Sequence, residues 1–547
     1  MRAKRLALLT CLCLLLCAAP ALADGFREDL YVERDGQRVL LYEKSKRCVL
    51  FLPSGWGGET LTFRFPDQEL SAAGKALQSG AETALFAPGG TVALQNARGK
   101  TVYTVEVMEG SGIPSVLIST ESGSMKALDA SKANHEAGVF TLCDERGEPL
   151  CAVPIAAMRG RGNSSYSRKI PKKSYQVKLA KKTDLLGMGE AKVYNLQAEY
   201  LDLSLMRTHI SLDLARQAGV PCALDCRSVN AWFNGCYGGV YLLTEKVQIQ
   251  ENRVNIRDLE EETEALNELD LKEYPLVKRD AANGAHIFAF DIPTDPEDIT
   301  GGYLLELQGA GRFSHKESGF ITGDGMCVRV TEPDEVSPAQ AEYICGIFSA
   351  FHRAILAEDG VDAQTGKRWN ELFDADSLAK VLVLEEIAKN YDYEKNSLYF
   401  FKDAGDGPVY AGPVWDFDRA YGNVAAEFWV NSSSIALYEG REKRWTFYGN
   451  LFNRQADFAA LAKAVYRELY APALGILLGE REPDGPLRSL QSYHDEIAPS
   501  ADMNFTRWNS FAVTGIYKHS GRTFEQSYRY LADFLQKRRA ALDENWR

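Results

Sequence analysis

Three carboxylates carry the chemistry this sequence offers. Asp416 and Asp418 stand two residues apart in Gly412-Pro413-Val414-Trp415-Asp416-Phe417-Asp418-Arg419-Ala420-Tyr421-Gly422-Asn423, just after an apolar run. Asp392 lies 24 residues before Asp416, in Asn390-Tyr391-Asp392-Tyr393-Glu394-Lys395-Asn396. Carboxylates brought together repel unless a cation or a proton sits among them. Asp and Asn oxygens are hard ligands of the kind Mg²⁺ takes, and Mg²⁺ is commonly held together with substrate phosphates. The other reading of the same residues is a solvated Asp-rich loop beside a buried Trp.

The segment between the carboxylates must bring them together. Ser397–Lys402 reads as a strand, Asp403–Gly407 as a turn, and Val409–Pro413 as the returning strand. A hairpin closes its two ends, so Asp392, Asn396 and Asp416 are expected in one small volume. Asp376–Lys389, with Leu378, Val381, Leu382 and Glu385 at helical spacing, delivers the chain to Asp392.

Upstream, Arg159-Gly160-Arg161-Gly162-Asn163-Ser164-Ser165-Tyr166 is a glycine and hydroxyl loop, followed by the alternating segment Lys172–Leu179. Strand, glycine loop and lysine strand are one way to hold nucleotide phosphates. A tight turn with solvated lysines fits as well, and no GxxxxGK[ST] string is present. Asp202–Gln217 reads as a helix ended by Gly219-Val220-Pro221, and Val229–Phe233 with Gly239–Lys246 as a hairpin. Residues 251–297 are acidic and uneven and read as a surface insertion. Ser337-Pro338-Ala339-Gln340 is a capping box opening a helix to Leu356. Phe447–Leu474, Leu487–Glu496 and Phe524–Trp546 are further helices.

The 547 residues exceed one core, and the net charge of −13 argues against a general nucleic-acid binder. Residues 1–23 have the order of an export signal: basic Arg2, Lys4 and Arg5, apolar Leu6–Cys17, then Ala21-Leu22-Ala23 before Asp24. No later run is long and apolar enough for a membrane span. Residues 24–110 read as short strands forming a small β-sandwich, an accessory module without a catalytic constellation. Eight cysteines remain after residue 23, an even number that permits disulfides, with Cys143 and Cys151 flanking a turn. Cys222 and Cys226 have no nearby His in sequence, which argues against zinc.

Taken in order, six blocks resemble the spore-coat protein H (CotH) family, an atypical and distantly protein-kinase-like group. They are Arg159–Ser164, Lys172–Leu179, Asp202–Arg207, Gly239–Lys246, Gly302–Glu306 and Gly412–Asn423. The resemblance spans roughly residues 111–547 and implies an α+β, two-lobed kinase-like fold, β-rich first and helical second. It implies ATP with Mg²⁺ or Mn²⁺, and γ-phosphate transfer to hydroxyls of surface or secreted proteins. Residue by residue, Asp392 takes the catalytic-base position. Asn396, Asp416 and Asp418 take metal positions. Arg161, Lys173, Lys178, Glu245 and Trp415 are candidates for the nucleotide.

Two departures stand out: the base and the metal Asn are four residues apart where kinases have five, and Asp-Phe-Asp replaces Asp-Phe-Gly. Strand parity leaves Lys173 and Lys178 both open, and the Asp202 helix has no glutamate for either. A catalytically inactive kinase-like scaffold in surface or spore-coat assembly is the alternative. A two-carboxylate glycosidase using Asp392 and Asp416 is a third reading.

Overall fold

The computed structural model describes residues 25–44, 47–66, 69–162, 166–167, 169–281, 283–393, 395–435, 447–508 and 521–546. The export-signal residues 1–23, and Asn163–Ser165 of the glycine loop, lie outside them. Chain contacts divide the protein into two units. One comprises residues 1–156, 229–240 and 499–508; the other comprises 157–228, 241–498 and 509–547.

The first unit is β-rich, as the strand-and-turn texture of its sequence predicts. Among the described residues, nine short strands between Gly25 and Glu109 form one hydrogen-bonded sheet. Leu30, Val32, Leu50, Phe51, Phe63 and Val105 build its core. The same apolar cluster includes Leu117, Cys143, Trp232, Tyr237 and Met503, so it extends past residue 110. Ser115–Ile118 pairs in parallel with Asn230–Phe233 of the same unit.

The second unit holds all the candidate residues. A seven-stranded sheet runs in the order Leu276–Asp280, His286–Phe290, Gly319–Ile321, Cys327–Glu332, Tyr303–Gln308, Leu398–Lys402 and Tyr410–Val414. Residues 251–297 therefore contribute two strands to this sheet, besides the short helix Leu259–Glu264. The hairpin forms as expected, with Leu398 opposite Val414 and Phe401 opposite Tyr410. Its strand is anchored by an aromatic nucleus. Phe400 packs against Phe348, Phe373 and Phe447 at 5.5–5.8 Å between ring centres. Aromatic pairs at such separations add ~0.5–1.5 kcal/mol each beyond burial.

Helices follow the sequence signals where caps are strong. Pro338–Leu356 opens on the reciprocal Ser337–Gln340 capping box. Ala375–Ala388 opens on Asp374, whose side chain accepts from the Ser377 amide. The helix expected from Asp202 begins instead at Arg207. Buried Asp202 accepts hydrogen bonds from the Ser204, Met206 and Arg207 amides and pairs with the Arg207 guanidinium. Its carboxylate organises the turn that precedes the helix. The strand Glu190–Gln197, pairing with Ser174–Asp184 and with the last residues of Cys236–Glu245, has no counterpart in the sequence reading. No disulfide joins the described cysteines, and Cys143 and Cys151 are not stapled. No helix among the described residues is long and apolar enough to cross a membrane.

Candidate active site

The hairpin closes on a cavity of about 320 Å³. Asp392, Asn396, Ser397, Trp415, Asp416, Asp418 and Arg419 line it from the hairpin ends, and Arg161 and Gly162 from the glycine loop. Gln197 and Glu199 line it from the end of the unforeseen strand, and Glu306 and Tyr399 from the seven-stranded sheet.

Asp416 sits at φ +69°, a left-handed backbone that an L side chain adopts at some cost. Asn390 Nδ2 reaches its carbonyl at 3.4 Å, and Ser397 Oγ faces its carboxylate at 3.4 Å. Asp392 is 8% exposed. Arg419 Nη1 stands 3.4 Å from each of its two oxygens, with the guanidinium 4.1 Å above the Tyr391 ring. The Asp392 carbonyl accepts from the Lys395 and Asn396 amides, which folds the loop so that Asn396 faces the cavity. Arg161 stacks 5.0 Å over the Trp415 ring. Gly160 permits this loop, since a side chain there would meet the Tyr166 ring at 2.0 Å.

The electrostatics are those of a site short of positive charge. Burial, then Asp392, raises the Asp416 carboxyl, against Arg161. Asp418 is raised well above its ordinary value by burial and by Asp416, Glu199 and Asp392. Burial pushes Glu199 up to about 8, with Asp202 and Asp416 adding to it and Lys172 opposing. Burial lowers Lys172 to about 7, against the pull of Glu199. A divalent cation among Asp392, Asp416 and Asp418 would relieve this repulsion with hard oxygen ligands. Among the described residues, Gln197 Nε2 is a buried donor without a hydrogen-bond partner, which a ligand in the cavity could satisfy.

Of the candidates named from the sequence, Asp392, Asn396, Asp416, Asp418, Arg161 and Trp415 come together. Lys173, Lys178 and Glu245 do not line the cavity. Lys173 Nζ donates to the Ser167 and Ile170 carbonyls and so fastens the loop after Arg161. Lys178 is exposed on its strand. Glu245 accepts from the Asp225 amide at 2.8 Å and pairs with Arg253 at 2.6 Å. The sequence reading passed over Lys172, which is buried with its ammonium 4.6 Å over the Tyr241 ring. It also passed over Glu199, which lines the cavity and feels the charge of Lys172. The alternation in Glu190-Ala191-Lys192-Val193 was the available signal for the strand that carries Gln197 to the cavity.

The sequence profile of the family described as CotH kinase protein matches residues 158–542. No curated protein matches the chain. The matched span is more than half of the 547 residues, begins one residue after Ala157 opens the second unit, and contains every residue of the cavity. The chain belongs to the CotH kinase protein family.

Proposed function

We propose that this protein is an exported, atypical, two-lobed protein kinase. It transfers the γ-phosphate of ATP to Ser or Thr hydroxyls of surface or secreted proteins. The observation that carries the reading is the gathering of Asp392, Asn396, Asp416 and Asp418 in one cavity where burial and then the neighbouring carboxylates raise Asp416 and Asp418. Family membership supports a kinase-like chemistry for that cavity. Export rests on the tripartite order of residues 1–23.

Asp416, Asp418 and Asn396 would hold Mg²⁺ or Mn²⁺. A divalent ion there supplies charge neutralisation at the transferring phosphoryl group. Arg161, which lines the cavity, would meet phosphate oxygens, and Lys172, outside the lining, would act on the site through the charge of Glu199. Asp392 orients the acceptor hydroxyl and takes its proton as the oxygen bonds to the γ-phosphorus and the bond to ADP breaks. Arg419 fixes the Asp392 carboxylate in one orientation.

The ion pair between Asp392 and Arg419 also favours the second reading, an inactive kinase-like scaffold in coat or surface assembly, because it occupies the base. Calorimetric ATP titration with and without Mg²⁺ or Mn²⁺, beside transfer of radiolabelled phosphate to a generic protein acceptor, separates the two. Metal-dependent ATP binding with transfer is expected. Binding without transfer supports the scaffold, and no binding at any metal level removes the kinase reading.

A further inference from the structure

Away from the carboxylate cavity, the helix Arg207–Gln217 buries a second set of ionisable side chains for which phosphoryl transfer has no use. His209 and Asp213 are four residues apart on it, one turn along the same face. Cys226, the first residue of the strand Cys226–Phe233, completes the group. One ligand atom from each of the three residues lies within 4.8 Å of the others. His209 and Asp213 are 4% exposed and Cys226 is fully buried.

Imidazole, carboxylate and thiolate are the side chains zinc takes, with bonds of about 2.0–2.3 Å. Two ligands on one tetrahedral ion therefore stand ~3.3–3.8 Å apart. His209 Nε2 and Asp213 Oδ2 are 3.5 Å apart, beyond a good N–H···O hydrogen bond and within that range. The outer contacts suit a metal-bound histidine. Nδ1 faces Ser228 Oγ at 3.2 Å. With Nδ1–H donating there, the Nε2 lone pair is left toward Asp213. Asp213 is fixed from the other side. The Tyr493 hydroxyl donates to Oδ2 at 2.6 Å and Arg216 Nη1 to Oδ1 at 3.4 Å. The Tyr493 ring packs edge-on to the imidazole at 5.1 Å.

We propose that His209, Asp213 and Cys226 bind one Zn²⁺ as a structural ion that ties the helix Arg207–Gln217 to the start of the Cys226 strand. Thiolate and imidazole select zinc over the magnesium suited to the all-oxygen cavity. On binding, the sulfur–zinc bond replaces the thiol S–H and the proton leaves to solvent. Thiolate, carboxylate and neutral imidazole then balance the ion's two charges in the interior. Three protein ligands leave a fourth position for water.

The test uses the full chain, stripped of metal, in an Asp416→Asn background so that the oxygen cavity is weakened as a competing cation site. Titration with Co²⁺ is expected to give one equivalent with thiolate-to-cobalt charge-transfer absorption, displaced by Zn²⁺. That band is expected to be lost in Cys226→Ser and kept in Cys222→Ser. Independently, chelation should lower the melting temperature of wild type and zinc should restore it. No charge-transfer band, together with a melting temperature indifferent to chelator and zinc, overturns the proposal. The group is then an ion-free hydrogen-bonded core running Ser228, His209, Asp213, Tyr493. A band that survives Cys226→Ser overturns it too, by placing the metal on another thiol. The wild-type readouts stand even if Cys226→Ser fails to fold, and none of them depends on phosphate transfer.

Discussion

At Lys172, burial and a single carboxylate act in opposite directions. The interior favours the neutral amine, and Glu199 pulls the charge back. A bound phosphate would favour the ammonium further. Lys172→Met keeps the stem packed on Tyr241 and removes only the charge, so folding should survive. Lys172 does not line the cavity and acts through the charge of Glu199, so ATP affinity should fall ~3–10-fold by calorimetry, ~0.6–1.4 kcal/mol. Unchanged affinity would remove Lys172 from the site. The same pair sets a pH dependence. Glu199 titrates at about 8 when folded against an ordinary 4.5, so the folded state holds the extra proton between those values. Stability is therefore lost as pH rises through that window. Glu245 and Glu260, both pushed up to about 7 by burial, act with the same sign. Lys172 opposes them only above pH 7, and His209 only below its ordinary 6.5. Without divalent ions the melting temperature should be lower at pH 7 than at pH 5, and Glu199→Gln should shrink the difference. A flat profile in wild type would contradict the raised carboxylates. The sequence showed the carboxylates but not this lysine. Strand parity along Lys172–Leu179 does not find it because the strand starts at Ser174, and Lys172, Lys173 and Ser174 are all buried, so no alternation exists there to read.

The element that most decides the cavity is the hairpin Leu398–Lys402 with Tyr410–Val414, and it was legible because its turn chemistry and apolar strands agree. The strand Glu190–Gln197 was not. Its last four residues are all buried, polar Asn195 and Gln197 among them, so the two-residue period that marks a strand is lost where it matters. The helix Ala375–Ala388, which leads to Asp392, is braced by a contact no local pattern could reveal. Arg538, on the helix Phe524–Trp546, pairs with Glu386 and donates to the carbonyls of Glu386, Ser432 and Ser434, all from full burial. Arg538→Met takes the guanidinium away from the buried Glu386 carboxylate. Urea denaturation should show a loss of ~3–5 kcal/mol, partly recovered in the Arg538→Met, Glu386→Leu double variant. A loss below ~1 kcal/mol would mean that water or another donor replaces the guanidinium.

Across the whole molecule, the β-rich beginning and the helical end were legible from texture, but the division of the chain was not. Residues 229–240 and 499–508 join the first unit through pairings such as Ser115 with Asn230, and nothing local to either strand announces the other. Removing residues 25–110 therefore uncovers Trp232 and Tyr237 of the shared apolar cluster. A chain beginning at Gly112 should melt earlier and bind an apolar dye while keeping its ATP affinity, since no cavity residue is lost. Loss of affinity in a truncated chain with native circular dichroism would mean that the β-module shapes the site. The claim that the cavity transfers phosphate is tested most directly by comparing Asp416→Asn with Asp392→Asn. Both changes are near-isosteric, and thermal melts must first show each variant folded. ATP titration with and without Mg²⁺ is then run beside single-acceptor phosphate transfer. The account predicts that Asp416→Asn loses metal-dependent ATP binding. It predicts that Asp392→Asn binds ATP almost as wild type does but transfers ~10²–10⁴-fold more slowly. Transfer at the wild-type rate by both variants would contradict it.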